Sequence, residues 1–188
     1  KGNNLSLHLL ELFTSQVAKV GMTDGIRQVL QEESDALRAY YEQAGILIAR
    51  PAGETSCRLA ISAKGGTNAE NHNHNDVGSY AVALGSETMV GDQGGPNSYP
   101  GDYFNGDAPQ KYKIKGSFGH PVPVVNGRTQ SSGGKAKGVV LQKEFTNEKD
   151  VFSIDYTSAY STPNLDKLIR TFVYDRQGKG SFTVGDEF

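Results

Sequence analysis

The sequence predicts a mainly β protein: an antiparallel β-sandwich preceded by two α-helices. Apolar residues recur at helical spacing from Leu5 to about Tyr41. From Gly45 onward, short β-branched and aromatic runs are separated by Gly, Asn, Asp and Ser. These runs follow one another without an intervening helical pattern, which favours antiparallel sheets over an α/β fold.

Residues 1–43 are expected to be the last helices of a larger helical domain. The stretch Gly21–Asp24 interrupts the helical pattern, and its Thr and Asp are suitable N-caps for a second helix. The chain starts at Lys1 without an initiator Met or a hydrophobic signal segment. We therefore expect most of the helical domain to lie upstream of Lys1 in a longer protein.

Residues 44–188 are assigned to the β-domain, which we expect to be incomplete at its C-terminal end. The strands predicted from β-rich runs are Ile46–Arg50, Cys57–Ile61, Gly78–Leu84, Thr88–Gly91, Val122–Val125, Gly138–Phe145, Val151–Thr157 and Lys167–Tyr174. A further alternating run begins at Ser181. The Gly-rich stretch Ser131–Gly134 predicts a turn.

Composition argues against several classes of function. The 19 basic and 21 acidic residues give a net charge of -2 and are mixed along the chain, so no basic face is set aside for nucleic acid. No apolar run approaches the roughly 20 residues that span a bilayer, and no membrane partner is expected. Cys57 is the single cysteine, which rules out an internal disulfide and a Cys-rich zinc motif.

The densest polar cluster is the segment Asn71–Asp76, directly before an apolar run. If this segment is extended, His72, His74 and Asp76 share one face, because side chains alternate along a strand. Two imidazoles with a carboxylate suit Zn²⁺ or a similar divalent ion. Asp92 and His120 also lie at predicted strand ends, where binding residues tend to occur, so Asp76 and Asp92 are both candidate carboxylate ligands.

Three blocks of sequence extend this pattern: His72–Tyr80, Gly91–Gly95 with Tyr99, and Ser117–Gln130. In order, spacing and residue identity they resemble the heparinase II/III-like family of polysaccharide lyases. The run Ala44–Arg50 also resembles the first strand after that family's helical domain. The resemblance implies a helical (α/α) toroid followed by an antiparallel β-sandwich, with the active site between them.

The resemblance also implies roles for individual residues. His74, Asp92 and His120 match the family's zinc ligands, which favours Asp92 over Asp76. His72 matches a histidine that lines the catalytic cleft, and Tyr103 matches a tyrosine that faces the substrate. The expected substrate-binding residues are Tyr99, which is also the second choice for that tyrosine, and Asn71. Pro121 departs from the Asn that many relatives carry after the last zinc ligand, which weakens any expected substrate contact there.

The implied activity is cleavage of a uronic-acid-containing polysaccharide by β-elimination. The partner is then an acidic polysaccharide or oligosaccharide, and a polymeric substrate implies a periplasmic or extracellular location in a bacterium. The cofactor is Zn²⁺, which is expected to hold cleft loops in place, because elimination needs no metal-activated water. The isolated chain is expected to be inactive, because the general base should come from the toroid.

Two alternatives remain at this stage. A non-catalytic carbohydrate-binding module would use loop aromatics to stack on sugars; the candidates are Tyr99, Tyr103, Phe104 and Tyr112. A cupin-like metalloenzyme also uses a His-x-His pair and a later histidine. The Glu that a cupin carries a few residues after the pair is missing here, and Asp76 is too close to replace it.

Overall fold

The computed structural model describes residues 36–53, 55–92, 95–96 and 98–188 of the chain. The two helices predicted before residue 36 lie outside these residues. The described part is mainly β with antiparallel strand pairing, which confirms the predicted fold class. Within these ranges, no helix has the length and hydropathy needed to cross a bilayer.

The described residues form three antiparallel sheets. The strands are β1 (Arg38–Tyr41), β2 (Ile46–Ala49), β3 (Leu59–Lys64), β4 (Thr67–Asn68), β5 (Tyr80–Leu84), β6 (Glu87–Val90), β7 (Gly133–Lys137), β8 (Val139–Phe145), β9 (Lys149–Asp155), β10 (Ile169–Asp175) and β11 (Ser181–Glu187). One short helix, α1 (Ala108–Lys111), lies in the long connection between β6 and β7. The sheet orders are β1-β2-β3-β5-β6, β11-β10-β9-β8 and β4-β7.

The core lies between the five-stranded and the four-stranded sheets. Both sheets contribute alternate side chains to one buried cluster, which includes Leu47, Ile61, Phe152, Ile154 and Phe172. Aromatic rings make contacts across the interface, as between Tyr80 of β5 and Phe172 of β10, whose centroids are 6.0 Å apart. Two sheets that bury their inner faces in this way form a sandwich.

The predicted helix does not extend to Tyr41. Arg38–Tyr41 is instead strand β1, which pairs with β2 from Arg38 opposite Ala49 to Tyr41 opposite Ile46. Gly45 closes this hairpin with a φ of 61°, a conformation that glycine adopts without strain. Tyr40 packs edge-on against Phe152 in the core, so a tertiary contact favours the strand over local helical spacing.

Two other local predictions also differ from the structure. Val122–Val125 is irregular, with one isolated bridge from Val125 to Arg128, because prolines at 121 and 123 have no N–H to give to a sheet. The Gly-rich stretch after Ser131 leads into β7, since Gly133–Lys137 pairs with β4. Both differences lie next to the site described below.

A buried carboxylate joins the β1 end of the first sheet to the second sheet. Asp150 on β9 accepts a hydrogen bond from Arg38 Nε at 2.8 Å and forms an ion pair with Arg176. The Asp150 side chain is fully buried. Arg176 also donates to the carbonyl oxygens of Arg50 and Leu37 at 2.7 and 3.0 Å. Removing the carboxylate would therefore leave a buried guanidinium without its counter-charge.

We expect Asp150→Asn to lower the free energy of unfolding by about 3–5 kcal/mol, because it removes the carboxylate of a buried ion pair and leaves the Arg176 guanidinium without an opposite charge. The matched control is Glu42→Gln, which breaks the surface pair with Lys143, where the Glu42 side chain is 79% exposed. That change should cost about 1 kcal/mol or less. Urea unfolding of both variants measures the difference, and equal losses would contradict the role given to Asp150.

Candidate metal centre and adjoining pocket

The segment Asn71–Asp76 is not extended, contrary to the simplest prediction from its alternating residues. It lies in the irregular connection between β4 and β5. His72 has a φ of 58°, and the N–H of Asn73 donates to the carbonyl of Glu70 in a turn. His72 and His74 therefore point into different surroundings, and Asp76 does not complete a shared face.

His74, Asp92 and His120 come together as a compact group of metal-ligand types. One donor atom from each lies within 4.8 Å of the others, and this is the one such group found among the described residues. His74 Nδ1 is 3.1 Å from His120 Nε2, and His120 Nδ1 is 2.7 Å from Asp92 Oδ2. Burial, and then the nearby His120, lower the pKa of His74, which favours the neutral imidazole that binds metals.

The donor set has the chemistry of a zinc or similar divalent site: two imidazoles and one carboxylate. Asp92 contacts the His120 nitrogen that faces away from His74. It can therefore act as a ligand or as the partner that orients the His120 ring, a common arrangement around metal-bound histidines. His72 is not part of the group, so the two histidines of the His-x-His pair do not converge as a cupin site requires.

Asp76 has a structural role in the fold. Its carboxylate forms an ion pair with Lys64 on β3, and its backbone N–H donates to the Asn68 side chain at 3.2 Å. Asp76 is 7% exposed. Of the two carboxylates left open by the sequence, Asp92 is therefore the one that lies with the histidines.

Gln130 connects the loops that carry the histidines. Its side chain accepts from the Val77 N–H at 3.0 Å and donates to the Val77 carbonyl at 2.7 Å. Its backbone N–H donates to Ser117 Oγ, and its carbonyl accepts from the Asn75 side chain. Gln130 is 2% exposed. It fixes the His74 loop relative to the 3-10 turn Ser117–Gly119 that precedes His120.

Arg170 on β10 makes a second connection to the same loops. Its Nη1 donates to the carbonyls of Gly78 and Pro121, each at 2.8 Å, and its other nitrogens bind Asp186. Pro121 follows His120 directly. The guanidinium of Arg170 therefore connects strand β10 to the loop that carries His120. The Pro121 carbonyl is therefore occupied by Arg170.

A pocket of about 550 Å³ lies beside the loop that carries His74, and Asn73 and Asn75 on either side of that histidine line it. Its described lining includes Asn71, His72, Asn73, Phe104 and Lys115. The His72 ring lies against the Phe104 ring, with centroids 4.3 Å apart. The side-chain oxygen of Asn73 is buried without a hydrogen-bond partner among the described residues. The pocket thus presents amide groups and an imidazole around an aromatic face.

Tyr103, the expected substrate-facing tyrosine, is buried in the loop that follows Asp92. Tyr103 is 1% exposed, and its ring packs against Tyr99, Phe104 and Tyr112. Burial raises the pKa of its hydroxyl. Aromatic packing in the loop after Asp92 explains this orientation. Tyr99 is 55% exposed and is the accessible tyrosine of the two.

No protein-family model matches the chain, and no curated protein sequence matches it. Among solved structures, it is similar to a mutant of the heparan sulfate lyase HepC from Pedobacter heparinus, with a TM-score of 0.62 and 15% sequence identity. The match covers 99% of this chain and 28% of that chain. At this identity the likeness shows a shared fold. The chain thus spans less than a third of that lyase's length.

We expect Gln130→Met to lower the free energy of unfolding by about 2–4 kcal/mol, because it leaves the buried Val77 N–H and carbonyl without partners. Gln142→Met, on the exposed strand β8, is the control and should change stability by about 0.5 kcal/mol or less. Chemical denaturation of the two variants measures this. Similar small losses would show that the Gln130 hydrogen bonds do not hold the loops together.

Proposed function

We propose that this chain is part of a polysaccharide lyase that cleaves a uronic-acid-containing glycan by β-elimination. The observation that carries the proposal is the placement of His72, on the pocket wall, two residues from His74 in the metal group. This arrangement lies in a fold similar to part of a heparan sulfate lyase. The class of substrate, an acidic polysaccharide or oligosaccharide, follows from the same likeness.

The chemistry requires a base to remove the proton from C5 of the uronate. The electrons of that C–H bond form the C4–C5 double bond, the C4–oxygen bond breaks, and an acid protonates the departing oxygen. The C5 proton is weakly acidic because it adjoins a carboxylate, so donors to that carboxylate stabilise the charge that develops. His72 and the Asn71 amide are the donors that we assign to this task.

His74, Asp92 and His120 would hold a Zn²⁺ ion in this proposal. Three protein donors of these types fit zinc, and a bound ion supplies positive charge that fixes the three loops on which the donors lie. Elimination consumes no water, so we assign the metal an orienting role. The residues of the pocket wall then keep their positions when substrate binds.

The proton-transferring groups are expected to come mainly from the helical domain that the resemblance implies. A general base must lie within about 2.6–3.2 Å of its proton, and the buried Tyr103 hydroxyl meets that requirement only if its loop moves. Chain 1–188 by itself is accordingly proposed to be inactive. A periplasmic or extracellular location suits a polymeric substrate and remains part of the proposal.

A second candidate function is passive glycan binding. The exposed rings of Tyr99 and Phe104, 55% and 47% exposed, lie together and could stack on a sugar. The two functions differ in their product. Incubating the full-length protein with heparan sulfate and following the ultraviolet absorbance of the unsaturated uronate separates a lyase from a binding module.

In the full-length protein, we expect His72→Ala to lower kcat about 100-fold or more while the zinc content stays near that of the unsubstituted protein. The reason is that His72 is assigned to the substrate carboxylate and lies outside the metal group. His74→Ala is the matched comparison and should lose zinc. Absorbance assays and elemental analysis on the same preparations test both. Zinc loss with activity retained in the His72 variant would refute the assignment.

We expect one zinc per chain and a different response from the two carboxylates near the site. Asp92→Asn should weaken zinc binding at least about 10-fold, whether Asp92 is a ligand or orients His120. Asp76→Asn should have a smaller effect, because Asp76 pairs with Lys64. Competition with a chelator measures both affinities, and the reverse order would make Asp76 the carboxylate of the site.

A further inference from the structure

Lys115 is a buried lysine on the wall of the pocket. The residue is 3% exposed. Its ammonium donates to the Tyr103 carbonyl at 2.8 Å and lies 4.8 and 5.2 Å from the ring centroids of Tyr103 and Phe104. None of the carboxylates that the structure describes forms an ion pair with it, so its charge has no acidic counterpart in this part of the chain.

The position of Lys115 is fixed by its own backbone. The carbonyl of Lys115 accepts a hydrogen bond from the Asn75 N–H at 2.7 Å, and its N–H donates to the Tyr112 carbonyl at 2.9 Å. The first bond joins Lys115 to the residue after His74. The ammonium and the His72 ring both contact Phe104, and all three residues line the pocket.

We propose that Lys115 is the fixed positive charge that binds an anionic group of the glycan, a carboxylate or a sulfate, in this pocket. For the identity of the ligand, this inference rests on the proposed function. A charge removed from water without an acidic partner costs free energy, and a bound anion offsets that cost. The ammonium has three N–H donors and gives one to Tyr103.

The other pocket residues favour the same class of ligand. The amides of Asn71 and Asn73 and the ring of Phe104 suit sugar hydroxyls and a sugar face, and they carry no charge. Glu70 is the acidic residue in the lining, and its carboxylate accepts from Thr67 Oγ1 at 3.3 Å. Lys115 thus gives the pocket a basis for distinguishing an acidic glycan from a neutral one.

The test measures binding in the full-length protein with His72→Ala as the background, so that turnover does not obscure affinity. The probes are a heparan sulfate tetrasaccharide, its carboxyl-reduced form and its desulfated form. Lys115→Met keeps the aliphatic stem and removes the charge, and Lys115→Arg keeps the charge. Lys111→Met is the matched control, because Lys111 pairs with Asp102 at the surface. Calorimetry gives the dissociation constants.

We expect Lys115→Met to weaken binding of the tetrasaccharide about 10- to 100-fold, with Lys115→Arg recovering part of the loss and Lys111→Met close to the background. One modified probe should bind the Lys115→Met variant and the background protein with the same dissociation constant. The anionic group that this probe lacks is the group that Lys115 contacts. An equal loss for all three probes, no loss for any of them, or no binding of the tetrasaccharide by the unsubstituted protein and the His72→Ala background alike would each overturn the proposal.

These outcomes are separable from those of the proposed function, because binding is measured without turnover. If heparan sulfate gives no unsaturated product but binds in a Lys115-dependent manner, the lyase proposal fails and the anion site stands. If the protein forms unsaturated product and Lys115→Met binds all probes normally, the lyase proposal stands and the anion site fails. Unfolding midpoints of the Lys115 variants confirm that each retains the fold.

Discussion

The segment after His74 is buried although it belongs to no strand, and buried backbone groups need hydrogen-bond partners wherever the chain leaves a sheet. Gln130 meets much of this need, since one amide side chain serves both polar backbone groups of Val77. The Asn75 side chain in turn donates a hydrogen bond to the Gln130 carbonyl. The arrangement of the histidines depends on these hydrogen bonds, because they hold the irregular loop between β4 and β5 in place.

The buried charged side chains of the sandwich also have partners. The sandwich buries Arg170 and Asp150, and each is matched by an opposite charge and bonded to backbone groups or further charges of the neighbouring loops. Lys115 differs, because the described contacts of its ammonium are a carbonyl and two aromatic rings. Arg170 and Asp150, which have opposite charges beside them, connect the sheets to the neighbouring loops. Lys115, which forms no ion pair with the described carboxylates, lies on the pocket wall, where we propose that an anionic group of the ligand binds.

The fold class could be predicted from short-range signals in the sequence. The set His74, Asp92 and His120 was implied by the family resemblance, because local spacing alone grouped His72, His74 and Asp76. Alternation in Ile169–Asp175 identifies a strand, and histidines and a carboxylate beside apolar runs identify ligand types. The strand Arg38–Tyr41 could not be predicted, because its helical spacing is overruled by pairing with β2 and by the packing of Tyr40. The roles of Gln130 and Lys115 depend on contacts with distant segments. Gln130, for instance, binds Val77, 53 positions away.

Strand β8 forms one edge of the four-stranded sheet and carries three consecutive exposed apolar residues, Val139, Val140 and Leu141. An edge with apolar side chains and open backbone groups can pair with the same edge of another molecule and start aggregation. The register shift between Val140 and Gln142, followed by the charged pair Lys143 and Glu144, disturbs the flat geometry that such pairing needs. The strand therefore carries both a risk of self-association and the features that oppose it, which bears directly on how this protein behaves at high concentration.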